Sequence, residues 1–402
     1  MKALLLEDIH TSSQEVFDDA GIEVVRRPGS LDEDDLIAAL DGVDLLGIRS
    51  NTRVTERVLD AVPHLQSVGC FCIGTNQVAL AAAAERGLPV FNAPYSNSRS
   101  VVELVIAEIL ALARRLTEKT ERLHNGIWDK SAKGSHEVRG RTLGIIGYGN
   151  IGTQLSNVAE ALGLRVIFYD IADRPAHGNA RRMRSMEELL AQADVVSLHV
   201  DGRPGNAGLF GADQFAAMKR RALFINASRG MVVDDVALRD NILSGHIAGA
   251  AIDVFPIEPK AQGDTFESVL RGLDNVILTP HVGASTLEAQ EEIGRFVAGK
   301  LAGFVRQGST ALSVNLPGVQ PAPLTGGTRV GVLHENAPGV LARLNQTLAT
   351  AANITAQALA TSGELGYVVT DVDTAPSEET LALVRGDANT RWVRTWVPNQ
   401  PL

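Results

Sequence analysis

Over the first ninety residues short apolar runs alternate with amphipathic stretches: "KALLLE", "IEVVRR", "VDLLGIR", "LQSVGCF" and "LPVFNA" are separated by segments such as "LDEDDLIAAL". Apolar runs of this length read as buried strands, and this rhythm predicts parallel strands joined by right-handed helical crossovers. From 96 to 119, "SNSRSVVELVIAEILALARRLTEK" opens with capping residue types and stays apolar at helical spacing, which predicts one long helix connecting two domains. A second strand–helix series begins at "TLGIIGYGNIG" and runs through "LRVIFYD", "ADVVSLHV", "RALFINAS", "IAGAAIDVF" and "NVILTP". Two α/β units in tandem follow from this, each a doubly wound parallel sheet. Beyond them "STLEAQEEIGRFVAGKLAGFVRQG" returns to a helical period and is expected to cross back onto the first unit. The stretch 315–327, "NLPGVQPAPLTGG", concentrates proline and glycine and reads as a linker. The remainder, 328–402, has the order β-α-β-β-α-β of a small ferredoxin-like domain.

Composition sharpens this picture. The 402 residues include 38 glycines and only 4% aromatics, which suits α/β layers of small aliphatic side chains better than a β-sandwich. A formal charge of −10 opposes nucleic acid or an anionic membrane as partner, since both are polyanions. The opening "MKALLLEDIH" meets Glu7 and Asp8 too soon for a secretory signal, and no apolar run approaches the roughly 18 residues of a membrane span, so the expectation is a cytoplasmic chain. The two cysteines, Cys70 and Cys72, fall within a predicted strand. They read as small core residues, and no metal is expected.

The strongest local signal for chemistry is "GIIGYGNIG". Gly147, Gly149 and Gly152 form G-x-G-x-x-G between an apolar strand and a helical stretch, where a pyrophosphate can approach the backbone at a helix N-terminus. Asp170 ends the next strand, 23 residues after Gly147, as suits a carboxylate that accepts hydrogen bonds from an adenosine ribose. Asp170 would repel a 2′-phosphate, which favours NAD over NADP; Arg174 pulls the other way. A nicotinamide reaction needs a proton donor or acceptor and a group that holds the reacting carbonyl. Arg229, Glu258 and His281 stand after later strands of the same series, where such sheets bind ligands. An arginine fork can hold a carboxylate, and a histidine paired with a glutamate has its imidazolium stabilised. Taken singly, each has a plainer reading: a turn cation, a solvated loop acid and a hydrogen-bonded core residue. His199, at another strand end, reads as structural, and Trp128 as a subunit contact.

Together "NASRG", "AIDVFPIEP" and "TPHVGAST" resemble the D-isomer-specific 2-hydroxyacid dehydrogenases. The likeness extends into the first unit through "GCFCIGTNQVALAAAAERGLPVFNAPYSNSRSVVELVIAEIL" and covers nearly the whole chain. It implies Arg229 as holder of carboxylate and carbonyl, His281 as acid/base and Glu258 as its partner. It also implies NAD contacts from Asn150, Ile151, Asp170, Ala227, Ser228, Arg229, Asp253, His281, Val282, Gly283 and Ala284, beside the three motif glycines; Ala284 stands where the family often has a second glycine. By analogy the substrate domain is 1–96 with 285–314 returning to it, and the cofactor domain is 97–284.

Within the family the likeness is to members that oxidise 3-phospho-D-glycerate to 3-phosphooxypyruvate, the entry to L-serine synthesis. A phosphate dianion needs donors, and "GIRSNT" offers Arg49 and Ser50 just past a strand end, although an ordinary surface cation is the plainer reading of Arg49. The resemblance adds Asn97 and Gln290 as polar contacts, and the amides of Gly74 and Thr75 for the carboxylate. Rival readings are a related dehydrogenase acting on 2-hydroxyglutarate, glyoxylate or D-lactate, and an NAD-gated corepressor. In the last domain "HENAPGVL" resembles the first loop of an ACT domain, a fold that binds amino acids between paired copies. That likeness implies His334, Asn336 and Asn353 as holders of L-serine and implies a homotetramer, although the helix between the two asparagines is about one residue shorter than in relatives.

Overall fold

The computed structural model describes residues 1–259 and 263–397; the final 398–402 of the predicted third domain lie outside it. The chain forms two compact units, one of Met1–Ser96 with Gln290–Leu402 and one of Asn97–Ala289. In the first, β1 (Lys2–Leu5), β2 (Glu23–Arg26), β3 (Leu45–Ile48), β4 (Ser67–Cys70) and β5 (Val90–Asn92) pair in parallel in the order β2-β1-β3-β4-β5. The helix Leu287–Gln307 packs on this sheet: Ile293, Val297, Leu301 and Val305 share a core with Leu5, Phe17, Phe71 and Phe91. Strand β4 stops at Cys70, so Cys72 sits in the following loop, and both thiols are free.

The second unit holds β6 (Thr142–Ile146), β7 (Arg165–Tyr169), β8 (Arg181–Arg182), β9 (Val195–Leu198), β10 (Ala222–Asn226), β11 (Ile247–Ile252) and β12 (Val276–Leu278). All pair in parallel in the order β12-β11-β10-β9-β6-β7-β8, with apolar layers on both faces. The chain turns back at β6, whose neighbours are β7 and β9, and ligands of such sheets bind beyond the carboxyl ends at that switch.

The predicted long helix is broken in two, Ser98–Arg114 and Leu116–His124, by Arg115 in the left-handed conformation at φ 53°. Its apolar stripe, Val101, Val105, Ile109 and Leu112, ends there, and the second helix buries no residue, so nothing holds the two segments collinear.

The third sheet, in the first unit, has β13 (Thr328–Glu335), β14 (Ile354–Ser362), β15 (Leu365–Val372) and β16 (Thr390–Trp396), antiparallel in the order β14-β15-β13-β16. Val330, Val332, Val368 and Val372 pack under the helices Val340–Ala349 and Glu378–Arg385. The opposite face, with Leu333, Tyr367 and Val369, covers Leu316 and Val319. The stretch 315–327 thus has no helix or strand but is packed into the unit. Buried Arg329 ties it down, donating to the Ala322 carbonyl at 2.7 Å while paired with Asp371. Among the described residues no helix is long and apolar enough to cross a membrane.

Candidate active site

The glycine-rich turn follows β6 and leads into the helix Asn150–Ala161. Gly147 has φ 93°, and a Cβ there would lie 2.3 Å from the His199 carbonyl oxygen; at Gly152 it would lie 2.3 Å from the Gly147 carbonyl oxygen. Both positions therefore admit only glycine, for conformation or for close packing. Gly149 meets nothing within 4 Å, leaving open space where a phosphate can approach the backbone. Asp170, just past β7, accepts from the Tyr148 N–H at 2.8 Å and so binds the turn to the strand end; Arg174 lies 4.0 Å from it. This cradle fits a dinucleotide.

The other chemistry-bearing groups stand past three adjacent strands. Beyond β10, Arg229 donates to the Ser228 carbonyl at 2.7 Å and is half-buried. Asn226, which the sequence reading missed, is buried and shapes this turn: its Oδ1 accepts from the Ser228 N–H at 3.1 Å and hydroxyl at 2.7 Å, and its Nδ2 donates to the Arg229 carbonyl at 3.2 Å. Its only signal was an asparagine ending an otherwise apolar strand.

Beyond β11, Asp253 uses both oxygens on the loop after β12, accepting from Thr279 Oγ1 at 2.6 Å and from the N–H groups of Val282 and Gly283 at 2.9 Å. That loop holds His281 at φ 54°. His281 Nδ1 lies 3.0 Å from Glu258 Oε2, while Glu258 Oε1 accepts from the Phe255 N–H at 3.1 Å. The hydrogen bond to Glu258 raises the His281 pKa above its ordinary value, against the effect of burial. For Glu258 burial favours the neutral acid, but the bonds from His281 and Phe255 prevail and the carboxyl titrates lower than usual. Each partner thus stabilises the charged form of the other, leaving Nε2 as the histidine nitrogen available for proton exchange.

Three further groups lie in this unit. His199, held by Ser197 at 2.9 Å, is pushed down to about 4 by burial and stays neutral. Glu108, which the sequence reading missed inside an apolar helix, is buried with both oxygens unpartnered among the described residues; burial and then the Asp253 carboxylate push its pKa up to about 8. Asn97 heads the same helix, buried with Oδ1 unpartnered.

Arg49, Ser50, Gly74 and Thr75 belong to the first unit, past β3 and β4, and Gln290 lies on the returning helix. The Arg49 guanidinium has no ion-pair partner, and the Gly74 and Thr75 N–H groups have no protein acceptor, among the described residues. Gln77, also missed, joins the two loops by donating to the carbonyls of Arg49 at 2.6 Å and Gly74 at 3.2 Å.

In the third sheet His334 and Asn336 lie at one end of β13, where His334 opposes Gly366. His334 is buried with Nε2 unpartnered among the described residues, and Asn336 Nδ2 donates to the Gly363 carbonyl at 3.1 Å. Asn353 precedes β14 at the opposite end, where Ile354 pairs with Val372. One chain therefore keeps Asn353 about 20 Å from the other two, the length of the intervening strand.

A doubly wound sheet with this cradle and a histidine–glutamate pair defines an NAD-dependent oxidoreductase. Residues 106–283 match the model described as D-isomer specific 2-hydroxyacid dehydrogenase, NAD binding domain, and 330–384 match an AHAS small subunit-like ACT domain. D-3-phosphoglycerate dehydrogenase of Haemophilus influenzae is 49% identical, the match covering 96% of this chain and 94% of that protein. D-3-phosphoglycerate dehydrogenase of Escherichia coli K12 is 51% identical, over 93% and 91% respectively. Among solved structures, D-2-hydroxyisocaproate dehydrogenase superposes with a TM-score of 0.71 at 25% identity, covering 78% of this chain and 100% of that one. The chain belongs to the D-isomer-specific 2-hydroxyacid dehydrogenases, and carries a C-terminal ACT domain.

Proposed function

We propose that the chain oxidises 3-phospho-D-glycerate to 3-phosphooxypyruvate, and that L-serine feeds back on it through the ACT domain. The observation that carries the reaction is the 3.0 Å contact between His281 and Glu258, past β12 and β11, the second of which pairs with β10, the strand before Arg229. The Arg229 guanidinium holds the substrate carboxylate and polarises the oxygen on C2. His281 Nε2 takes the hydroxyl proton, and Glu258 at Nδ1 stabilises the imidazolium that forms. NAD, when bound, accepts the hydride from C2. Its contacts are the Gly147–Gly152 turn, Asp170 and the neighbouring groups from Ala227, Ser228, Asp253 and the His281–Ala284 loop; Asp253 acts there by shaping that loop.

The substrate assignment draws on the two relatives named D-3-phosphoglycerate dehydrogenase. It is supported by the unpaired Arg49 with Ser50, beside the free amides of Gly74 and Thr75, a donor set suited to a phosphate and a carboxylate. Asn97 and Gln290 add polar contacts. The placement of Asn353 at the far end of the sheet from His334 and Asn336 fits an effector site completed by a second copy; a homotetramer in the cytoplasm is the assembly and place we propose for it. The deciding experiment assays the purified chain and NAD with 3-phospho-D-glycerate, D-lactate and 2-hydroxyglutarate, each with and without L-serine. Turnover confined to the phosphorylated acid and inhibited by serine is expected; no turnover of that acid overturns the substrate assignment. Arg229→Ala should abolish turnover.

A further inference from the structure

Just past β1 the backbone does something costly. Glu7 and Asp8 are consecutive non-glycine residues in the left-handed region, at φ 59° and 52°. Such conformations persist where the surroundings hold them, and an observed outlier of this kind motivates a search for function. The Glu7 N–H is held by the Gly29 carbonyl at 2.9 Å, and its side chain is buried. Its carboxylate reaches the loop after β3: Oε1 accepts from the N–H groups of Arg49 at 3.1 Å and Thr52 at 2.9 Å, and Oε2 from that of Asn51 at 3.0 Å. Three amides converging on one buried point need several lone pairs, which an ionised carboxylate provides. Of the four consecutive amides from Arg49 to Thr52, only that of Ser50 is left without a protein acceptor among the described residues. Gln77 holds the same loop from its carbonyl side.

We propose that Glu7 is a positioning residue for the phosphate end of the substrate: by satisfying the flanking amides it presents the Ser50 N–H and hydroxyl together with the Arg49 guanidinium as one donor set. This deepens, and rests on, the reading of Arg49 and Ser50 as the phosphate site. Because Glu7 consumes the other amides, the loop is no general backbone nest for anions, and phosphate recognition falls on Arg49 and Ser50. Glu7 itself touches no substrate.

The test is Glu7→Gln, read by kinetics and by amide hydrogen exchange over 49–52. The amide group of glutamine sets a donor against a backbone donor whichever way it is turned. KM for 3-phospho-D-glycerate should rise about tenfold with kcat within about twofold, the inhibition constant of D-glycerate should hold, and exchange should accelerate only in that loop. Unchanged KM and exchange overturn the proposal, as does an equal loss for D-glycerate, which would mean general support of the domain. Wild-type protein inactive on 3-phospho-D-glycerate removes the substrate reading alone. In that case loop-confined acceleration in Glu7→Gln still supports the anchoring, and unchanged exchange still overturns it. If Glu7→Gln is not recovered folded, Glu7→Asp, which keeps the charge but shortens the reach, is read in the same way.

Discussion

The seven-stranded parallel sheet and the four-stranded antiparallel sheet both carry functional candidates, and they arrange them in opposite ways. In the parallel sheet Arg229, Glu258 and His281 all follow the carboxyl ends of adjacent strands β10, β11 and β12, so one edge gathers them. In the antiparallel sheet His334 and Asn336 end β13 at one edge while Asn353 enters β14 at the other. The cause is topological. Helical crossovers bring every parallel strand back to the same starting edge, whereas antiparallel neighbours alternate direction. A parallel sheet can gather its strand-end chemistry in one protomer; in the ACT sheet Asn353 stands too far from His334 and Asn336 to join them within one chain.

The largest expected effect tests the first half of that contrast. His281→Asn removes the proton acceptor and should lower kcat roughly 10³-fold, with L-serine binding by calorimetry unchanged. Loss of serine binding as well would mean that the two sites are not separable.

Glu258→Gln should cost about 10²-fold in kcat/KM and move its pH profile. His281 must be neutral to take the hydroxyl proton, and its raised pKa moves the acid limb of oxidation upward from where an ordinary histidine would put it. Without the Glu258 carboxylate, burial outweighs the support that Asp253 still gives the charged ring, and Arg229 lowers the pKa further, so the limb should shift to lower pH. A limb that stays in place would show that another group titrates there.

The second half of the contrast is open to a mixing experiment. Asn336→Ala and Asn353→Ala should each raise the serine concentration needed for half-inhibition about tenfold, the loss of one or two hydrogen bonds. If each site takes Asn336 from one copy and Asn353 from the other, a hetero-pair of the two variants places both lesions in one site and leaves its mate intact. Co-expressed hetero-oligomers should then recover much of the sensitivity. No recovery would mean that the asparagines act within one chain.

The same topology explains what the sequence disclosed. Strand–helix alternation and G-x-G-x-x-G are local signals, so the cofactor sheet, its turn and the order of Arg229, Glu258 and His281 were legible. The βαββαβ order of the last domain was legible too. Arg115 was not, because the left-handed residue that breaks the long helix lies within an unbroken run of good helix formers. Nor was the packing of Leu316 and Val319, which depends on a sheet formed later in the chain. Glu7, Gln77 and Asn226 escaped for a shared reason: each serves backbone groups distant or unremarkable in sequence, and only folding shows which amides and carbonyls need a partner.

The smallest expected effect concerns a buried group that needs no second copy. His334 Nε2 and both Glu108 oxygens are all unpartnered, yet Glu108 can answer its burial simply by keeping a proton. Its folded pKa, about 8, stands above the ordinary 4.5, so between those values the folded state retains a proton that the unfolded chain releases. The unfolded state then binds fewer protons, and stability falls as pH rises through that window. Above it the ionised carboxyl would lie beside Asp253, the group that holds the histidine loop. Glu108→Gln keeps the shape and the neutrality and removes the titration. Its melting temperature should lose a few degrees less than the wild type's between pH 6 and pH 9, with kcat at pH 7 within about twofold. Equal losses would mean that Glu108 is already ionised near neutrality, and the region behind Asp253 would then need a cation or a water to complete it.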